Sequence, residues 1–232
     1  MQPLRGVLLD VDGTLLDSND AHARAWLDAF DEFGLRGVPF DAVRTRIGKG
    51  GDKLLIETVG IDEDSDEGRR IVQRRRAIFN DKYLPRVGPF PMARELLEQM
   101  RDHGLKRIVA TSASKQELRG LLDAANVGDL IDAESTSSDA NASKPDPDIV
   151  RAAIARAGLH ADELLMLGDT PYDVAAARGA GVATIALRCG GWRDDELRGA
   201  IAIYQHPADL LAHYEESPLG RNTTGAAQEG SV

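Results

Sequence analysis

The sequence predicts a doubly wound α/β fold, a parallel sheet interrupted by a helical insertion, and three observations predict it. Short apolar runs without polar alternation recur along the 232 residues, as expected of strands buried on both faces. Helical periodicities separate those runs, the order that builds a parallel sheet. One stretch, from about Ser18 to Tyr83, holds helical periodicities and no convincing strand.

Taken in chain order, residues 6–9 (Gly-Val-Leu-Leu) are the first strand. In the insertion, Trp26, Phe30 and Phe33 share one helical face and read as its core. Leu54, Leu55 and Val59 mark a second helix, and Val72, Phe79 and Tyr83 a third. Asp64, Ser65 and Asp66 stand near the start of that third helix, where acids suit the helix dipole. Arg74, Arg75 and Arg76 read as a solvated helix face. Pro85, Gly88, Pro89 and Pro91 punctuate the return. Met92, Leu96 and Met100 repeat at helical spacing up to Gly104. Residues 107–110 form the next strand. Ser114 with Glu117 is a capping box opening a helix. Asp146 followed by Pro147 reads as an N-cap with proline at the first helical position, ahead of a helix over 149–157. Residues 164–167 and 182–187 are further buried strands, and 201–204 an edge strand. The expected division is a Rossmann-like core over 1–16 and 86–216, a helical cap over 17–85 and a disordered tail over 217–232.

Composition narrows the function. Hydrophobic residues at 42% give a chain of this length a core of its own. A net charge of −10 argues against a nucleic-acid partner, since phosphate contacts need a basic surface. A lone cysteine, Cys189, excludes an internal disulfide and fits a cytoplasmic setting. No apolar run of membrane-spanning length exists, and residues 1–5 lack the apolar segment of a signal peptide. No feature bears on oligomeric state.

The sharpest chemical signal follows the first strand: Asp10-Val11-Asp12-Gly13-Thr14. Residues i and i+2 of a strand share a face, so two carboxylates crowd together. That crowding is unfavourable without a cation or a shared proton, which points to metal binding combined with nucleophilic or acid–base work.

This run resembles the first motif of the haloacid dehalogenase superfamily, whose members are mostly phosphatases. Its further motifs then follow in order. Residues 109–112 end a strand with the hydroxyls of Thr111 and Ser112, Lys144-Pro145 precedes a helix, and Gly168-Asp169-Thr170-Pro171-Tyr172-Asp173 follows another strand. Thr111 or Lys144 alone means little; the four motifs in sequence carry the likeness over residues 7–173. The resemblance, to the group of phosphoglycolate phosphatases and β-phosphoglucomutases, implies a Mg²⁺-dependent phosphatase acting on a small phosphorylated metabolite through an aspartyl-phosphate. Asp10 is then the nucleophile and Asp12 the acid and base. Thr111, Ser112 and the N–H groups up to Ala113 suit phosphate oxygens, and Lys144 offsets their charge. Asp10, Asp169 and the Asp12 carbonyl would hold the metal, with Asp173 behind the metal or Lys144. The insertion resembles a type 1 cap, in which Lys49 and Lys53 of the run Ile47-Gly48-Lys49-Gly50-Gly51-Asp52-Lys53 are candidates for an anionic substrate group. His22 stands where sugar-phosphate relatives carry a hinge histidine.

Three other chemistries compete. A sugar phosphomutase would share Asp10 and Asp12, but its cap arginine falls at Gly51 here, and its fourth motif carries Glu-Asp where this chain has Gly168-Asp169. A 2-haloacid dehalogenase, or a phosphonate hydrolase with a cap Schiff-base lysine, would lack Asp12. A catalytically dead module is disfavoured because all four motifs are filled.

Overall fold

The computed structural model describes residues 3–221. They form a six-stranded sheet from β1 (Gly6–Leu9), β2 (Lys106–Ala110), β3 (Ala133–Ser135), β4 (Leu164–Gly168), β5 (Ala183–Leu187) and β6 (Ala202–Tyr204). The strand order is β3-β2-β1-β4-β5-β6 and every pairing is parallel. Residues alternate between two apolar layers, as strand geometry requires. Val7, Leu9, Val109, Leu165, Leu167 and Ile185 face one layer. Leu8, Ile108, Ala110 and Met166 face the other. The first layer is closed by α5 (Ala93–Asp102), α6 (Lys115–Ala125) and α9 (Pro207–Ala212), the second by α7 (Asp148–Ala157) and α8 (Pro171–Gly179). The fold is the doubly wound α/β architecture expected from the sequence. Among the described residues no helix is long and apolar enough to cross a membrane.

Between β1 and β2 the chain leaves the sheet for α1 (Asn19–Glu32), α2 (Phe40–Arg44), α3 (Gly51–Val59) and α4 (Asp66–Ile78), followed by a π-turn over Phe79–Tyr83. The Ser65 side chain caps α4 by accepting from Gly68 N at 2.9 Å. Ile71, Val72, Arg75 and Ile78 form the buried side of α4. Arg75 is therefore not part of a solvated face, because helical phase puts it with Ile71 and Ile78; Arg74, by contrast, is exposed and pairs with Glu32 at 2.5 Å.

Three further expectations change. The N-cap of α7 is Pro147, not Asp146, whose carboxylate is drawn instead to Lys53. The strand β3, Ala-Glu-Ser, carries too few apolar residues to stand out in the sequence, and helix α2, at five residues, is too short to show a helical period. Residues 217–221, expected in the tail, pack as a short helix α10 (Pro218–Arg221), with Ser217 and Leu219 fully buried. Leu219 joins the larger apolar layer, which is what holds this turn down. The remainder of the expected tail, 222–232, lies outside the described residues.

Candidate active site

The reversal of strand order between β1 and β4 opens a crevice at the carboxyl edge of the sheet, where ligands of such folds bind. Asp10, Thr111 and Asp169 each stand one residue beyond a strand there, at the ends of β1, β2 and β4. Backbone pairing carries past the strand ends: Asp10 N donates to Leu167 O at 2.9 Å and Thr111 N to Ser135 O at 3.1 Å.

Lys144, from the loop before α7, is 1% exposed. Its Nζ donates to Asp10 Oδ1 at 2.6 Å and pairs with Asp173 Oδ1 at 2.7 Å. A lysine so buried is tolerable only with partners of this kind. Burial opposes its charge, yet Asp10 and Asp173 outweigh burial and lift the ammonium well above its usual value. Asp173 also accepts from Thr170 Oγ1 at 2.7 Å within a capping box that opens α8.

Asp10, Asp169 and Asp173 bring carboxylate oxygens within 4.8 Å of one another, all three buried. Thr14 Oγ1 and Asn19 Nδ2 each donate to Asp169 at 3.0 Å. Burial raises the Asp10 carboxyl well above its usual value; Lys144 offsets this in part, and Asp173 and Asp169 add to it. Burial and Asp173 push Asp169 up to about 7 despite the bonds from Asn19 and Thr14. Three carboxylates facing one ammonium leave a surplus of negative charge, and the neighbouring Asn19 Oδ1 is a buried acceptor with no partner among the described residues. An all-oxygen donor set with surplus charge fits a hard divalent cation. Backbone approaches this cluster so closely that a Cβ at Gly13 or Gly190 would collide with Asp169.

The Asp12 side chain does not join the cluster. It accepts from Ser18 Oγ at 2.5 Å and lies 2.8 Å from His22 Nε2. Burial pushes its carboxyl up, but His22 and Ser18 more than offset this and hold it below the usual range. His22 is itself buried and stacks on Phe79, ring centroids 3.9 Å apart. The carboxylate cluster thus joins Asp10 and Asp169 to Asp173, which pairs with Lys144 as one of its two expected roles, while the Asp12 side chain, expected to crowd Asp10, turns to Ser18 and His22.

A cavity of about 60 Å³ lies over Asp10 and Asp12. The sheet edge contributes Thr111, Ser112, Ala113 and Glu117; the insertion contributes His22, Trp26, Gly48, Lys49 and Arg75. The insertion rests on the sheet edge through several polar contacts. Ser112 Oγ donates to Gly48 O at 3.2 Å, Gly50 N to Ser143 Oγ at 3.0 Å, Tyr172 Oη to Thr45 O at 2.5 Å and Arg44 Nη2 to Gly190 O at 2.6 Å. Ala113 N is taken by Thr111 Oγ1 at 3.1 Å, which shapes the loop before α6. The two candidate lysines differ. Lys49 borders the cavity but is engaged by Glu57 at 2.6 Å and lies over the Tyr172 ring. Lys53 is turned away to Ser143 O and Asp146, so it ties the insertion to the Lys144 loop instead of meeting a ligand. The sequence alone does not assign the roles of Thr14, Ser18, Asn19 and Glu117 as side-chain partners in the site, nor the inward placement of Arg75. For Arg75 the signal was there, in the spacing Ile71, Arg75, Ile78.

The chain is similar to known hydrolases over most of its length. A phosphoglycolate phosphatase of Caulobacter vibrioides is 32% identical over 191 residues, 79% of either chain. Another, of Yersinia pseudotuberculosis, is 30% identical over 217 residues, 92% of this chain and 91% of its own. The crystal structure of a hydrolase from Pseudomonas syringae matches with a TM-score of 0.83 at 30% identity, covering 91% of this chain and 98% of that one. The motif order, the carboxylates at the strand ends and the inserted helices meet in the family described as haloacid dehalogenase-like hydrolase, which matches residues 7–187; the chain belongs to that family.

Proposed function

We propose that this enzyme is a Mg²⁺-dependent phosphatase that hydrolyses a small phosphomonoester through an aspartyl-phosphate on Asp10. The observation that carries the reading is the buried Asp10–Lys144 pair, set beside Asp169 and Asp173 at the switch point of the sheet. The names of the relatives point to phosphoglycolate as a substrate to try first.

Asp10, Asp169 and the Asp12 carbonyl would hold Mg²⁺, with Asp173 beside them, and the ion would neutralise phosphoryl oxygens next to these carboxylates. Asp10 attacks phosphorus as the bond to the leaving oxygen breaks. Lys144 and the Thr111 hydroxyl take up negative charge on the transferring group. Asp12 gives a proton to the leaving alkoxide, then takes one from the water that breaks the acyl-phosphate. Its low proton affinity suits the second, basic half. Arrival of a phosphate dianion raises that affinity and supplies the first, acidic half. The insertion acts as a lid that excludes bulk water from the intermediate. A cytoplasmic setting accords with the single cysteine.

The position of Gly51 speaks against a phosphomutase. It supplies no side chain where that reading needs a cation, and the group next to its Cβ position is an acid, Glu63 Oε2 at 3.1 Å.

The test is phosphate release from p-nitrophenyl phosphate and 2-phosphoglycolate. We expect EDTA to abolish it and Mg²⁺ to restore it. Asp10→Asn should cost about three orders of magnitude or more in kcat. Full turnover in metal-free buffer, or by the Asp10→Asn variant, contradicts the reading.

A further inference from the structure

Arg75 is a charged side chain buried to 9% exposure on the wall of the cavity that holds Asp10 and Asp12. Its Nη1 donates to Glu117 Oε1 at 2.6 Å, and its guanidinium carbon lies 4.9 Å from the centre of the Trp26 ring. Its Nε is buried and has no acceptor among the described residues. Glu117 has other partners besides Arg75: Ser114 Oγ donates to it at 2.8 Å, and Arg76 Nε lies 3.4 Å away. Glu117 thus keeps its charge compensated when Arg75 is shared. The other cations near the cavity are committed, Lys144 to Asp10 and Asp173 and Lys49 to Glu57.

From this arrangement we infer that Arg75 is the specificity-determining residue of the lid: it recognises a second anionic group, a carboxylate, on the far end of a short phosphomonoester. A guanidinium stacked on an aromatic ring with an open N–H edge binds carboxylates in two-pronged fashion. Trp26 and Glu117 fix its plane, so little side-chain freedom is lost on binding. Size points the same way. A cavity of about 60 Å³ holds only a few water-sized groups. It favours a two- or three-carbon acid over a sugar ring bearing a phosphate. Nε lacks an acceptor among the described residues, so an acid that reaches it gains a bond that a neutral analogue forgoes.

The inference rests on the phosphatase reading, and an equilibrium measurement separates their failures. The probes are two non-hydrolysable isosteres, 3-phosphonopropionate and propylphosphonate, which differ in carboxylate against methyl. Each is titrated calorimetrically in the presence of Mg²⁺. Wild type is expected to bind the acid at least about tenfold more tightly. In Arg75→Gln that ratio should fall towards one, and Arg75→Lys should keep part of it. An unchanged ratio in folded Arg75→Gln, or no preference in wild type, overturns the assignment. Should Arg75→Gln not fold, the Arg75→Lys ratio decides: an undiminished preference counts against two-pronged recognition. If wild type shows the preference yet hydrolyses no monoester, the phosphatase reading fails while the recognition stands.

Discussion

At the scale of single residues, the arrangement around Asp12 makes a testable statement about pH. His22 lowers the proton affinity of Asp12, and the proposed hydrolysis of the acyl-phosphate needs Asp12 unprotonated. His22→Phe preserves the stack on Phe79 and removes the imidazole. The Asp12 carboxyl then titrates higher, so the acidic limb of the kcat–pH profile should move to higher pH. A limb that stays in place would show that His22 only packs. The same scale explains which site residues were legible. Asp10, Asp12, Lys144 and Asp169 sit at strand ends or just before a helix, in short runs whose spacing is itself the signal. Thr111 gained its weight only from that order. Asn19 and Thr14 reach Asp169 across 150 and 155 positions, a closeness that no local pattern encodes. The inward placement of Arg75 is legible only in its spacing from Ile71 and Ile78, which the flanking Arg74 and Arg76 mask.

At the scale of elements, helix α6 joins the phosphate-side loop to the lid. Glu117 completes the capping box with Ser114 and receives Arg75 and Arg76 from α4. Burial alone would raise its carboxyl, but Arg75, Ser114 and Arg76 outweigh burial and hold it down at about 2. A carboxyl whose folded value lies below its ordinary 4.5 stabilises the fold fully above that value. The contribution fades as pH falls from 4.5 towards 2. The shift corresponds to about 3 kcal/mol. Urea unfolding of wild type and Glu117→Gln should therefore differ most near neutral pH, and the gap should close on acidification. A gap independent of pH would assign the loss to packing and not to charge. The capping box itself was legible, since Ser114 and Glu117 are three residues apart in one helix turn. The strand β3, Ala-Glu-Ser, was not, because its pairing partner and not its composition makes it a strand. The N-cap of α7 was misplaced for a similar reason: Asp146 has a stronger partner in Lys53, which the chain brings from 93 positions away.

At the scale of the whole molecule, the insertion and the sheet edge line one cavity between them, and the proposed lid role requires the insertion to move away for substrate to enter. The contact to break lies at the start of α3. There Ser143 donates to Asp52, and Lys53 reaches Ser143 O and Asp146. Ser143 precedes Lys144, so this contact couples lid closure to the position of the lysine that neutralises Asp10. A disulfide across it would hold the lid shut. Ser143→Cys with Asp52→Cys provides one, and Cys189 is tucked against Gly13 O, away from that contact. The double variant should turn over substrate when reduced, lose turnover when oxidised and recover it with reductant. Its oxidised form should also fail to take up the phosphonate probes, because the entrance is sealed before any chemistry begins. Retained turnover in the oxidised form would mean that substrate reaches Asp10 without opening, and the helical insertion would then be a fixed wall of the site instead of a moving lid.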